Sequence, residues 1–134
     1  MAKYKYVTEF EINASTKMLF PYLSTAGGLQ EWFADDVSVL GEKSYNVVWD
    51  GVGHTATIMA KRTNHYIKYE FLPVDKDDEK MNETRSYIEF KLEHNDITAS
   101  TFLQVVDFSE MENEEDLASL WEQLVEVLRE KVGG

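Results

Sequence analysis

His54, His65 and His94 are the only imidazoles in the chain, and it contains no cysteine. Thiolate metal sites, cysteine nucleophiles and disulfides are therefore excluded. The histidines lie too far apart in sequence to match any metal-ligand spacing. His65 and His94 fall at predicted turns or strand ends, where a solvated side chain is ordinary. His54 shares parity with Ala56 and Ile58, so it is expected to face inward at the rim of an apolar interior, as the one titratable group at a binding site. Asp35 and Asp36 could be read as an acid/base pair. Adjacent loop residues point apart, however, and a working pair must converge on one substrate, so a helix-ending turn is the simpler reading. No nucleophile elbow, phosphate loop or dinucleotide fingerprint is present. We assign no catalytic residue, no metal and no cofactor.

The aromatic residues carry more information. Tyr6, Phe10, Phe33, Trp49, Tyr69, Phe71, Phe90 and Trp121 all fall at positions expected to face inward. Tyr and Trp bring polar tips that need partners, and ligand pockets are mostly apolar with a few such tips. Plain core packing is the competing explanation, and some of these rings must serve it.

Elements that would position these rings can be read from periodicity. Tyr4 to Ile12 alternates as a half-buried strand. Ser15 can cap a short helix over Thr16 to Leu23, which Pro21 keeps short or kinked. Ser24 or Thr25 can start a second short helix through Leu29, Trp32 and Phe33, after a Gly27-Gly28 hinge. Strands follow at Val37–Leu40, Ser44–Trp49, His54–Arg62, His65–Leu72, Glu83–Glu93 and Ile97–Phe108. Turns are expected at Gly41-Glu42, Asp50-Gly51-Val52-Gly53, Thr63-Asn64 and His94-Asn95-Asp96, with a solvated loop at Pro73 and Asp75–Lys80. The last strand's parity is ambiguous because Phe102 and Leu103 compete.

The stretch Asn113 to Lys131 places Leu117, Leu120, Trp121, Leu124, Val127 and Leu128 on one side of a helical wheel. Acidic residues crowd its start, Arg129 and Lys131 its end, and Gly133 offers a stop. Asn113 with Asp116, or Ser109 with Glu112, can cap its first turn. Strands joined by tight turns imply an antiparallel sheet with one polar, solvated face. Its apolar face needs a cover, and the terminal helix is the element long enough to supply it. The fold class is therefore α+β: a curved antiparallel sheet of about seven strands gripping one long helix, as a single domain over residues 1–134.

Charge narrows the partners. The chain has 13 basic and 25 acidic residues, a net charge of −12. Nucleic acid and anionic membrane surfaces would be repelled. No apolar run approaches a membrane span, and the N-terminus lacks a signal-like apolar stretch. A cytoplasmic protein, monomeric or weakly dimeric, is expected.

Local sequence then sharpens this into a resemblance. Phe20-Pro21-Tyr22-Leu23-Ser24-Thr25, Gly28-Leu29 and Glu31-Trp32-Phe33-Ala34-Asp35-Asp36-Val37 resemble the START-like, or SRPBCC, superfamily with its helix-grip fold. They are most similar to a small bacterial branch near the Aha-type chaperone-activator domains. Val48-Trp49-Asp50-Gly51, Ala56, Val106-Asp107-Phe108 and Leu120-Trp121 fit the same pattern, so the resemblance spans the chain. One departure is the absence of a proline near Ala26-Gly27. The resemblance implies an internal cavity used for lipids, polyketides or other apolar ligands. That superfamily also mixes cyclases and chaperone activators with its carriers.

The leading expectation is non-catalytic binding of an apolar or amphipathic small molecule between sheet and terminal helix. Trp32, Phe33, Trp49, His54, Tyr69, Phe71, Phe90, Leu117, Trp121 and Leu124 would form the site, with Trp49 and Trp121 bordering the space and Trp32 at its mouth. A protein-interaction module, such as a chaperone regulator, is the first alternative. A cyclase- or hydrolase-type enzyme using the same cavity is the second.

Overall fold

The computed structural model describes residues 4–72, 85–110 and 113–133. The expected loop at Pro73 and Asp75–Lys80, the strand start at Glu83 and the Glu112 cap lie outside these residues. Among the described residues the order is β1 (Tyr4–Ile12), α1 (Thr16–Ser24), α2 (Ala26–Trp32), β2 (Asp36–Gly41), β3 (Ser44–Trp49), β4 (Val52–Arg62), β5 (Tyr66–Phe71), β6 (Tyr87–Asn95), β7 (Ser100–Ser109) and α3 (Glu114–Val132). The strands form one seven-stranded sheet in the order β1-β7-β6-β5-β4-β3-β2. Every pairing is antiparallel. Each consecutive strand from β2 to β7 lies beside the last, while β1 joins the far edge next to β7. The expected curved sheet and α+β class are what the chain adopts.

Local chemistry explains the boundaries. The Ser15 hydroxyl accepts from the Met18 N–H at 3.0 Å and starts α1. Pro21 sits inside α1, where it cannot supply the i→i−4 bond to the Lys17 carbonyl and its exposed ring meets solvent. The Asn113 carboxamide accepts from the Glu115 and Asp116 N–H groups at 2.9 and 3.2 Å, and Gly133 ends α3 in the left-handed region at φ 79°.

Three boundaries differ from the sequence reading. Thr25, one of the two expected start residues, caps α2 by accepting from Gly28 N–H at 2.9 Å, so Gly27 and Gly28 lie inside the helix and do not form a hinge. Only Asp50 and Gly51 turn the chain between β3 and β4. Both have positive φ, 51° and 79°, the type I′ geometry that fits strand twist, so Trp49 pairs directly with Val52 and β4 starts there. The β6–β7 turn also sits later than expected. The Asn95 side chain accepts from Ile97 N–H at 2.9 Å, an Asx turn, and Ala99 takes a φ of 57°. Ile97 is thus a turn residue, 95% exposed, not the first residue of a strand.

β7's parity is now fixed: Thr101, Leu103, Val105 and Asp107 point into the grip and are buried. Phe102 and Phe108 point to the convex face, which is less polar than expected. There Tyr87 stacks on Phe108 with centroids 5.1 Å apart, and the Lys68 ammonium lies 4.2 Å from the Tyr87 ring.

On α3 the buried stripe is Leu117, Trp121, Val125 and Leu128. Val125 was missed. Leu120 and Val127 are left 40% and 36% exposed, and Leu124 is half-buried at the edge of the core. The helix is rotated relative to the six-residue apolar arc, because the grip admits only the side centred on Trp121.

Candidate functional site

Three elements bring four rings to one place inside the grip. Trp32 ends α2, and Phe33 follows as its C-cap. Phe90 comes from the middle of β6 and Trp121 from the second turn of α3. Trp32 lies 5.6 Å from Phe33, 5.6 Å from Phe90 and 6.5 Å from Trp121, centroid to centroid. Phe33 stacks on Trp121 at 6.0 Å and meets Phe90 edge-on at 5.8 Å. Phe90 meets Trp121 edge-on at 6.0 Å and Tyr69 at 6.5 Å. Offset and edge contacts at these distances are the favourable ones for aromatic pairs.

The cluster continues outward. Trp49, at the end of β3, meets the Phe33 edge at 5.1 Å, Phe71 at 6.1 Å and His54 at 5.4 Å. Trp49, His54 and Phe71 are half-buried, whereas Phe33, Tyr69, Phe90, Leu117 and Trp121 are buried. The rings therefore run from a partly exposed outer end at Trp49 to a buried inner end at Trp121. Trp32, expected at the mouth, is 4% exposed and sits deep in the cluster. Trp49 holds the outer place instead. The reason is the hydrogen bond from Trp32 Nε1 to the Tyr22 carbonyl at 2.8 Å, which draws the indole under α1.

The indole and phenol tips of this set have protein partners. Trp49 Nε1 donates to the Phe33 carbonyl at 2.7 Å. The Tyr69 hydroxyl donates to the Leu23 carbonyl at 2.6 Å, and the Tyr45 hydroxyl to the Ser24 carbonyl at 2.9 Å. Burial pushes both phenols above their ordinary range. Tyr45, which the sequence reading left out, thus pins the α1–α2 corner beside Tyr69. Among the described residues no buried side-chain nitrogen or oxygen lacks a partner. Asp35 does not converge with Asp36. Its Oδ2 accepts from Asp50 N–H at 2.9 Å, tying the end of α2 to the β3–β4 turn. An open groove of about 540 Å³ lies between Glu9, Glu93, Ile97 and Phe102, and it shares no residue with the aromatic set.

One buried ionisable group went unnoticed in the sequence. Asp107 is buried in the grip, and its Oδ2 accepts from Trp121 Nε1 at 2.9 Å. Alternation from Leu103 through Val105 marks an inward acid at 107, but only once β7's parity is known. Burial pushes the Asp107 carboxyl above its usual range, against the opposing effect of its bonds from Trp121 and Ser109. A raised native pKa means the folded chain holds this proton more tightly than the unfolded one. The group's stabilising contribution is complete below the unfolded value of 3.8 and is lost as pH rises through the native value. Asp107→Asn should therefore gain stability relative to wild type as pH climbs from below 4 towards neutrality, in urea unfolding at a series of pH values. A relative loss over that range would mean that the carboxylate is stabilised by its surroundings.

The model of the START-like superfamily domain matches residues 1–134. Among solved structures, the Aha1 dimer of Colwellia psychrerythraea is similar at TM-score 0.76 and 18% identity, over 96% of each chain. BfR322 of Bacteroides fragilis is similar at 34% identity and TM-score 0.64, over 98% of this chain and 93% of that one. MLL2253 of Mesorhizobium loti is similar at TM-score 0.71 and 19% identity, over 95% of each. Among curated proteins, none matches the chain.

Proposed function

Because this chain belongs to the START-like superfamily, whose members typically bind hydrophobic ligands, we propose that it binds an apolar, ring-bearing small molecule at the Trp49 mouth of the grip, without catalysing a reaction. The observation that carries this reading is the graded aromatic run. Half-buried Trp49, His54 and Phe71 are continuous with buried Phe33, Phe90 and Trp121. A planar apolar ligand stacking on Trp49 replaces water on three partly exposed rings. It reaches further only by displacing the Trp49 indole, whose single hydrogen bond goes to the Phe33 carbonyl.

Polar groups at the site favour binding over chemistry. The buried tips are engaged with backbone carbonyls or with Asp107, so none is free to activate a substrate. His54 at the mouth can meet one polar substituent of the ligand. Native mass spectrometry of freshly purified protein tests the reading: an apolar mass should co-purify with the wild type and be absent from Trp49→Ala. A bare wild-type mass under conditions that preserve weak complexes counts against it.

The mutual contacts of buried Trp32, Phe33, Phe90 and Trp121 favour a second reading, a protein-interaction module working through its outer surface. The similar Aha1 of Colwellia psychrerythraea is a dimer, and association of this chain with itself or another protein would fit that reading.

A further inference from the structure

From the exposed side of α3 we infer that this helix is a self-association surface, pairing antiparallel with α3 of a second copy. Leu120, Leu124 and Val127 form a seam at i, i+4, i+7 beside the buried stripe. Leu120 and Val127 are 40% and 36% exposed, and no element among the described residues covers them. A seam at this three-four spacing is the kind that two helices bury against each other.

Charge selects the partner and its direction. Asp116 and Lys131 lie on the same side of the helix as the seam, one beyond each end, about 22 Å apart along the axis. Rotating a second α3 by half a turn about the middle of the seam, between Gln123 and Leu124, sets Leu120 against Val127. The same operation sets Asp116 against Lys131 and repeats both matches by symmetry. A parallel pair would instead set Asp116 against Asp116 and Lys131 against Lys131. Gln123 at the centre is neutral and long enough to bridge the axis. Lys131 already meets Glu31 of α2 at 3.2 Å in an exposed pair, and its three donors leave room for a second carboxylate.

The contact is small. One helix face falls well short of the roughly 800 Å² per partner of a standard interface, and two chains of charge −12 repel each other. The dimer is therefore weak and grows with concentration.

Sedimentation velocity at physiological salt, from low-micromolar to millimolar protein, reads the association. The wild type should shift from monomer towards dimer across that range. Leu120→Gln with Val127→Gln should stay monomeric throughout while unfolding as cooperatively as the wild type, since both side chains are exposed. Asp116→Lys should weaken association several-fold, and Asp116→Lys with Lys131→Asp should restore it, because the swap rebuilds both pairs only across an antiparallel two-fold. A wild type that remains monomeric at millimolar concentration overturns the inference. So does a double glutamine variant that associates like wild type, or a charge swap no better than its single parent.

Discussion

Trp121→Ala is expected to destabilise the chain by about 3–5 kcal/mol, which approaches the whole stability of many domains this size. Trp121 is 1% exposed and touches Trp32, Phe33 and Phe90. Its removal leaves a cavity that the three neighbouring rings, two from the end of α2 and one from β6, cannot close together. It also removes the indole donor of Asp107, leaving a buried carboxylate one bond poorer, at an added cost of about 1–3 kcal/mol. Trp121→Phe separates the two effects, because it keeps a ring in the cluster but not the N–H. Urea unfolding of both variants gives the comparison. A loss below about 1 kcal/mol for the alanine variant would mean that α3 docks through other residues.

Two neighbouring glycines should respond to the same substitution with opposite signs. A Cβ on Gly28 would stand 2.1 Å from the Pro21 carbonyl oxygen and 2.7 Å from Tyr22 Cα. Both are backbone atoms, and that carbonyl already accepts from the Thr25 N–H and hydroxyl at 3.1 and 2.8 Å. Neither side can yield without parting α1 from α2, so Gly28→Ala should cost about 2–4 kcal/mol. A Cβ on Gly27 meets nothing within 4 Å. Gly27→Ala lies in the same helix and should stabilise by about 0.5–1 kcal/mol through reduced chain entropy. Thermal melts of the pair decide it. Equal effects would mean that the α1–α2 corner is looser than its geometry.

That corner shows where the sequence was legible and where it was not. Alternation located β1 and β5 closely, since one face of each is buried and the other wet. Capping residues located α1 and α3, because Ser15 and Asn113 satisfy amides their helices leave open. A double glycine reads as a hinge from its local freedom, yet here Gly28 answers a tertiary need, the close crossing of two helices. The rotation of α3 was hidden for a similar reason. Six apolar residues define a wide arc, and only the grip decides that Val125 turns in while Leu120 and Val127 stay out. β7 has apolar residues on both faces, so its parity, and with it buried Asp107, emerged only from pairing with β1 and β6.

The aromatic set itself was legible as inward-facing positions, but not its depth order. Trp32 and Trp49 differ little in local sequence signal. Their places are set by which carbonyl each indole reaches, Tyr22 beneath α1 or Phe33 at the rim.

The proposal that the grip receives an apolar ligand at Trp49 is tested most directly by titrating the purified chain with long-chain fatty acids, sterols and aromatic polyketides. Indole emission and melting temperature are followed together. At least one class should shift both saturably, reaching a stabilisation of about 2.7 kcal/mol at 100 times its dissociation constant, and Trp49→Ala should lose both responses. A panel that moves neither signal in the wild type would contradict the proposal and leave the outer surface as the working part of the molecule.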